Sequence, residues 1–192
     1  MRLFVAVEID PAVAGSLAAF SAELRQRAQR LAPAARIGWV NPEQLHVTSR
    51  FIGEVDDKKA AAIAGALLEE LPIDPFEIVI HGAGAFPERG APRVLWAGIS
   101  AGVEGLTALE VEVSRRLTAC GIAREERPYR PHVTLARVRE ASGLRSPALF
   151  EMLADRRFGT SLVEAITLFQ SRTSPKGAVY TPLHRTMLHQ RS

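Results

Sequence analysis

His46-Val47-Thr48-Ser49 and His132-Val133-Thr134-Leu135 are two copies of one tripeptide, in a chain that has only five histidines. They begin 86 positions apart (132 − 46). Both lie in short runs rich in Val, Thr, Phe and Ile, Leu45 to Ile52 and His132 to Val138, which read as β-strands. Alternate side chains of a strand share a face, so His46 and Thr48 point one way and Val47 the other, and likewise for His132 and Thr134. Each copy thus offers an imidazole and a hydroxyl side by side, ~6–7 Å apart along the strand.

Two imidazoles facing one reacting centre make a general base and a general acid near neutral pH, because each can take or give a proton there. Hydroxyls beside them can hold charged oxygens of the same centre. A phosphodiester suits the set: one histidine activates the nucleophile, the other protonates the leaving oxygen, and the threonines hold the non-bridging oxygens. A lone His-x-Thr in a strand is most often structural; the duplication carries the argument. Arg130, two residues before His132, would set a guanidinium on the phosphate if it shared that strand face, with a solvated arginine as the alternative. Arg127 and Arg137 read as surface or structural residues. Tyr129, Phe51, Phe86 and Tyr180 are candidates for stacking on a base, although aromatics in strands are mostly core.

The paired motifs resemble those of the 2H phosphoesterases, and among them the 2'-5' RNA ligase family whose members are RNA 2',3'-cyclic phosphodiesterases. The resemblance runs along nearly the whole chain, from Arg2-Leu3-Phe4-Val5 through Phe51-Ile52-Gly53-Glu54, Gly84-Ala85-Phe86-Pro87 and Arg93-Val94-Leu95-Trp96. It continues in Arg127-Pro128-Tyr129-Arg130-Pro131-His132, Ser171-Arg172 and Tyr180-Thr181-Pro182-Leu183. It implies an RNA or nucleotide end bearing a 2',3'-cyclic phosphate as substrate and a 2'-phosphate as product. It further implies His46 as proton donor to the leaving 3' oxygen, His132 as the base that activates water, and Thr48 and Thr134 as phosphate-binding groups. Spacing alone leaves open which histidine is acid and which is base. Run in reverse with an RNA 5'-hydroxyl, the same site would form a 2'-5' linkage without ATP. The chain departs from the family at Ser49, where a larger apolar residue is usual; that side chain is expected to face away from the site and to alter packing behind the strand. Two other readings are a 2H activity on a small cyclic nucleotide or ADP-ribose cyclic phosphate, and an RNA-end-binding module with a vestigial site.

The chain has 192 residues, 47% apolar and 23% charged, enough for a packed core and one domain, 1–192. A net charge of +3 is compatible with an anionic substrate without demanding one. Arginine supplies most of the 24 basic residues, lysine appearing only at 58, 59 and 176. A single cysteine, Cys120, rules out an intramolecular disulfide and a cysteine-based metal site. No H-E-x-x-H and no carboxylate lies within either motif, so neither metal nor cofactor is expected. The apolar run Leu3 to Val7 is cut off by Glu8 and Asp10, and no stretch reaches membrane-span length. A cytoplasmic monomer is expected.

To position the motifs, the sequence offers a buried strand Leu3 to Ile9 and, after Asp10-Pro11, a helix Ala12 to Leu31 with Val13, Leu17, Phe20 and Leu24 on one stripe. A short strand 36–40 precedes the first motif. A helix 58–71, a strand 76–81, a glycine-bearing loop 82–90 and a strand 93–99 follow it. Next come a helix 105–119, the second motif, a short helix 147–154, a strand 161–171 and a strand 178–188. The last two are joined by a turn at Ser174-Pro175-Lys176-Gly177. This order argues an α+β fold of mainly antiparallel sheet; the two motif copies, with the family resemblance, imply two pseudo-symmetric lobes with helices outside and a cleft between them. His81, His184 and His189 lack a threonine partner and are left outside the site.

Overall fold

The computed structural model describes residues 1–151, 153–174 and 177–189. Among the described residues nine strands and four α-helices follow one another as β1 (Arg2–Glu8), α1 (Pro11–Leu31), β2 (Arg36–Trp39), β3 (His46–Glu54), α2 (Asp57–Ala66), β4 (Phe76–Phe86) and β5 (Val94–Ala101). After these come α3 (Val103–Ala119), β6 (His132–Glu140), α4 (Ser146–Phe150), β7 (Arg157–Val163), β8 (Ala165–Ser174) and β9 (Gly177–Met187). All strands join one antiparallel sheet in the order β7-β4-β5-β6-β3-β1-β8-β9, with β2 also on β6.

That order is symmetric about the β3–β6 seam. One half is β3-β1-β8-β9 and the other β6-β5-β4-β7, and the two meet through a single residue pair, Val47 with Val133. Beyond it β3 and β6 form no further ladder pairs among the described residues, and β2 takes the free edge of β6 from Ala136 to Glu140. The expected lobes are therefore halves of one continuous sheet. Each long helix crosses to the other half: α1, which follows β1, packs on β7 and α4, while α3, which follows β5, packs on β3 and α2. The crossing buries the α1 stripe Val13, Leu17, Phe20, Leu24 and Ala28 under one half and the α3 stripe Leu106, Leu109, Val113 and Leu117 under the other.

β1 is buried at five consecutive residues, Leu3 to Val7, because β3 and β8 flank it and both its faces are covered. Asp10 stands at the N-cap of α1 with Pro11 behind it, as the sequence suggests. Its carboxylate, however, accepts from the Leu162 N–H at 3.2 Å instead of capping the helix. Asp56 does cap α2, accepting from Lys59 N–H at 2.7 Å.

Four sequence expectations need correction. The helix expected over 58–71 stops at Ala66, and the chain runs irregularly to β4. The glycine-bearing stretch 82–90 is not all loop, since β4 continues to Phe86. Gly84 is needed there because a Cβ would lie 2.6 Å from the Trp96 ring on β5. The strand expected over 161–171 is two strands, β7 and β8, parting at Glu164 for opposite ends of the sheet. The short helix expected over 147–154 covers Ser146–Phe150, with residue 152 outside the described residues. β8 and β9 pair from Ser174↔Gly177 onward, as a hairpin requires, but Pro175 and Lys176 of the turn lie outside the described residues.

Candidate active site

The two motif strands are built alike. Their burial alternates identically through seven positions, from His46 and from His132. Both strands also carry a bulge at the same place. In β3 the pairing with β1 skips Ser49 (Ala6↔Thr48, then Val5↔Arg50), and in β6 the pairing with β5 skips Leu135 (Trp96↔Thr134, then Leu95↔Ala136). Each bulge puts two successive side chains into the core, Ser49 and Arg50 in one half, Leu135 and Ala136 in the other. Volume is exchanged between them: small then large in β3, large then small in β6. Ser49 faces away from the cleft, 3% exposed, as expected, and its hydroxyl is buried without a partner among the described residues.

The bulge also resets which residues face the cleft. Strict alternation from His132 would turn Arg137, five residues on, into the core. With the extra residue at 135 it emerges on the cleft face, at the strand position that Phe51 holds in the other motif, and its charge bears on both His46 and His132. Arg137 is thus a cleft residue that the sequence reading set aside as surface or structural. Arg130 fares the other way. β6 begins only at His132, so Arg130 lies in the preceding loop, and its exposed guanidinium pairs with Glu88 at 3.5 Å. Its backbone carbonyl does reach the site, at His132 Nδ1.

Both imidazoles are held in the same manner. His46 Nδ1 is 2.7 Å from the Gln44 carbonyl and His132 Nδ1 is 2.7 Å from the Arg130 carbonyl, two residues upstream in each case. A carbonyl can only accept, so each Nδ1 carries the hydrogen and each Nε2 presents its lone pair to the cleft when the ring is neutral. For His46 the carbonyl sits in a 3₁₀ turn, Pro42–Gln44, where the Asn41 side chain accepts from the Glu43 N–H. His46 Nε2 lies 3.1 Å from Thr48 Oγ1. Among the described residues no matching bond joins His132 Nε2 to Thr134. Burial pushes both imidazoles below their ordinary value; the carbonyl bond opposes this in each, and the Arg137 charge adds to it.

Antiparallel register through Val47↔Val133 brings His46 level with Thr134 and His132 level with Thr48. Each histidine therefore faces the hydroxyl of the other motif across the seam. Aromatic rings back both: Tyr180 meets His46 edge-on at 5.4 Å, and Phe86 meets His132 edge-on at 5.3 Å. Phe4 and Phe169 stack at 5.3 Å beneath His46, and Trp96 lies against Phe86 at 5.1 Å beneath His132. Phe51, 55% exposed, is the aromatic open to solvent beside the first motif. Tyr129 is half-buried against the core, and its hydroxyl donates to the Thr48 carbonyl. His81 pairs with Asp155 at 2.8 Å and His189 with Glu70 at 3.9 Å; with His184 they stay outside the site. Among the described residues, no three His, Cys, Asp or Glu side chains gather where they could hold a metal ion, and no helix is long and apolar enough to cross a membrane.

Comparison with known proteins agrees with this geometry. Residues 15–175 match the 2'-5' RNA ligase superfamily. The chain is 40% identical over 148 residues to an RNA 2',3'-cyclic phosphodiesterase of Aeropyrum pernix, covering 76% of this chain and 82% of the relative. To an RNA 2',3'-cyclic phosphodiesterase of Archaeoglobus fulgidus it is 34% identical over 186 residues, covering 95% and 98%. Its fold superposes on E. coli LigT complexed with 3'-AMP with a TM-score of 0.73, at 26% identity and 98% coverage of both chains. Its repeated motifs, its sheet and these matches agree: the chain belongs to the 2'-5' RNA ligase superfamily.

Proposed function

We propose that this protein is an RNA 2',3'-cyclic phosphodiesterase that opens the cyclic phosphate to a 2'-phosphomonoester by two-histidine acid–base catalysis. The observation that carries the reading is the matched pair of carbonyl-locked imidazoles, His46 and His132, each set across the seam from the other motif's threonine. The names borne by the relatives supply the substrate class.

Water attacks phosphorus and passes a proton to His132 Nε2 as the P–O bond forms. The P–O3' bond breaks, and His46, protonated at Nε2, gives its proton to the 3' oxygen. The asymmetry of the two rings favours this assignment. His46 Nε2 is already engaged by Thr48, whereas His132 Nε2 offers an open lone pair to the nucleophile. Thr48, Thr134 and the Arg137 guanidinium stabilise charge on the non-bridging oxygens; Arg130 is the weaker candidate for that contact, being drawn to Glu88. With an RNA 5'-hydroxyl replacing water, the reverse reaction joins ends through a 2'-5' linkage without ATP. All of these groups come from one chain, which suits action as a monomer without cofactor or metal, and the lone Cys120 suits a cytoplasmic setting.

The test is hydrolysis of a short RNA ending in a 2',3'-cyclic phosphate, in excess EDTA, by wild type, His46→Ala and His132→Ala. The expected result is a 2'-phosphate from wild type and a loss of roughly 10²–10⁴ in kcat for each variant. A 3'-phosphate product, or wild-type turnover abolished by EDTA, refutes the mechanism.

A further inference from the structure

The two orienting carbonyls are supported very differently. Gln44 stands in a hydrogen-bonded turn leading straight into β3. Arg130 stands in an irregular segment, residues 121–131, whose last backbone-to-backbone bond is Ile122 N–H to the Leu117 carbonyl. What ties this segment down are side chains that reach the other motif's strand. The Tyr129 hydroxyl donates to the Thr48 carbonyl at 3.1 Å, across 81 positions of sequence. Arg50, 6% exposed, donates to the Ala123 carbonyl and stands 3.9 Å from Glu110 of α3.

Taking the proposed reaction as given, we infer that Tyr129 is a positioning residue for His132. Its hydroxyl, anchored on Thr48, holds the adjacent Arg130 carbonyl where it accepts from His132 Nδ1–H. Tyr129 and Arg130 are consecutive, so fixing one peptide end limits where the next carbonyl can point. Burial, with Glu110 nearby, keeps the phenol protonated well above neutral pH, so the donor is constant across any working range. The tautomer of one catalytic histidine is thereby fixed through the strand that bears the other. This resembles the outer-shell partners that orient catalytic or metal-bound imidazoles elsewhere.

Tyr129→Phe removes the donor and keeps the ring. Losing one neutral hydrogen bond spent on orientation is expected to lower kcat roughly two- to tenfold with KM little changed. The decisive readout is the His132 imidazole itself, followed by ¹⁵N NMR in isotope-labelled protein. Wild type is expected to show the Nδ1–H tautomer. In Tyr129→Phe the ring is expected to become a tautomer mixture titrating at lower pH, because the carbonyl bond favours its charged form. Tyr180→Phe, the same deletion beside His46, is expected to leave the His132 tautomer unchanged. A Tyr129→Phe protein with the wild-type His132 tautomer and titration overturns the inference, even if it melts at lower temperature, since that is what a merely structural hydroxyl would do. The NMR readout needs no turnover. If wild type fails to cleave the cyclic phosphate, the proposed function falls while the tautomer still decides the role of Tyr129.

Discussion

Ser49→Ala is expected to stabilise the protein and to leave its chemistry alone. The Ser49 hydroxyl is buried without a partner among the described residues, on a strand that packs against α3, and leaving such a group unbonded costs roughly 1–3 kcal/mol. Alanine removes that cost and forfeits only the packing contacts of one oxygen, each worth ~0.1–0.2 kcal/mol. The balance is a gain of about 1 kcal/mol, or a rise of about 2–4 °C in Tm for a domain of this size. Ser49→Leu, which copies its twin Leu135, is expected to do the opposite. Arg50 already fills the second bulge position that Ala136 leaves small in the other half, so a leucine overfills the site, at roughly 1–3 kcal/mol. Calorimetry at neutral pH reads the stabilities, and cyclic-phosphate hydrolysis reads the function. Because the side chain points away from Thr48, kcat/KM for Ser49→Ala should stay within about twofold of wild type. A fall in Tm on Ser49→Ala would refute the orphaned hydroxyl. A tenfold loss of kcat with stability intact would refute the claim that the fourth motif position lies behind the site.

Other expectations follow from the same geometry. Burial favours the neutral form of the His46 and His132 imidazoles below their ordinary pKa, so their contribution to stability is whole above about pH 6.5. It is lost as pH falls from there through the folded-state values; denaturant melts from pH 7.5 to 4.5 should show this loss, and His46→Gln should lessen it. kcat/KM should be bell-shaped in pH, and a rate still climbing well above neutrality would contradict the paired histidines. Arg137→Gln removes a charge that adds to the depression caused by burial, so NMR titration should find both histidines moved part of the way to higher pH, with turnover reduced. Gly84→Ala drives a methyl to within 2.6 Å of the Trp96 ring, and a loss of roughly 1–3 kcal/mol is expected in chemical denaturation.

The motif histidines and threonines were legible because they recur; the residues that complete the cleft were not. Arg137 was hidden by parity. The sequence carries no sign of the bulge at Leu135, and without it a five-residue offset from His132 reads as the wrong face. Arg130 erred the opposite way, its even offset being meaningful only if the strand began two residues earlier than it does. The glycines of 82–90 read as loop because a single sequence does not reveal that an indole on a neighbouring strand needs the room at Gly84. The split at Glu164 escaped because β7 and β8 are both apolar, and only their partners, β4 and β1, send them to opposite ends of the sheet. The α+β class, the antiparallel sheet and the order of helices followed from periodicity, since each long helix carries one continuous apolar stripe, while the two lobes followed from the duplicated motif and the family resemblance.

The two halves of the sheet differ in how the chain supplies them. β4, β5, β6 and β7 come from one unbroken run, residues 76–163, whereas β1 and β3 precede that run and β8 and β9 follow it. On a ribosome, the half bearing His132 can close while the half bearing His46 is still two strands short. Until β8 emerges, β1 presents an unpaired edge, and the rings of Phe169 and Tyr180 that back His46 have not yet been made. Vectorial synthesis therefore orders the two motif histidines in time: His132 is housed first, and His46 acquires its surroundings only as the last strands dock.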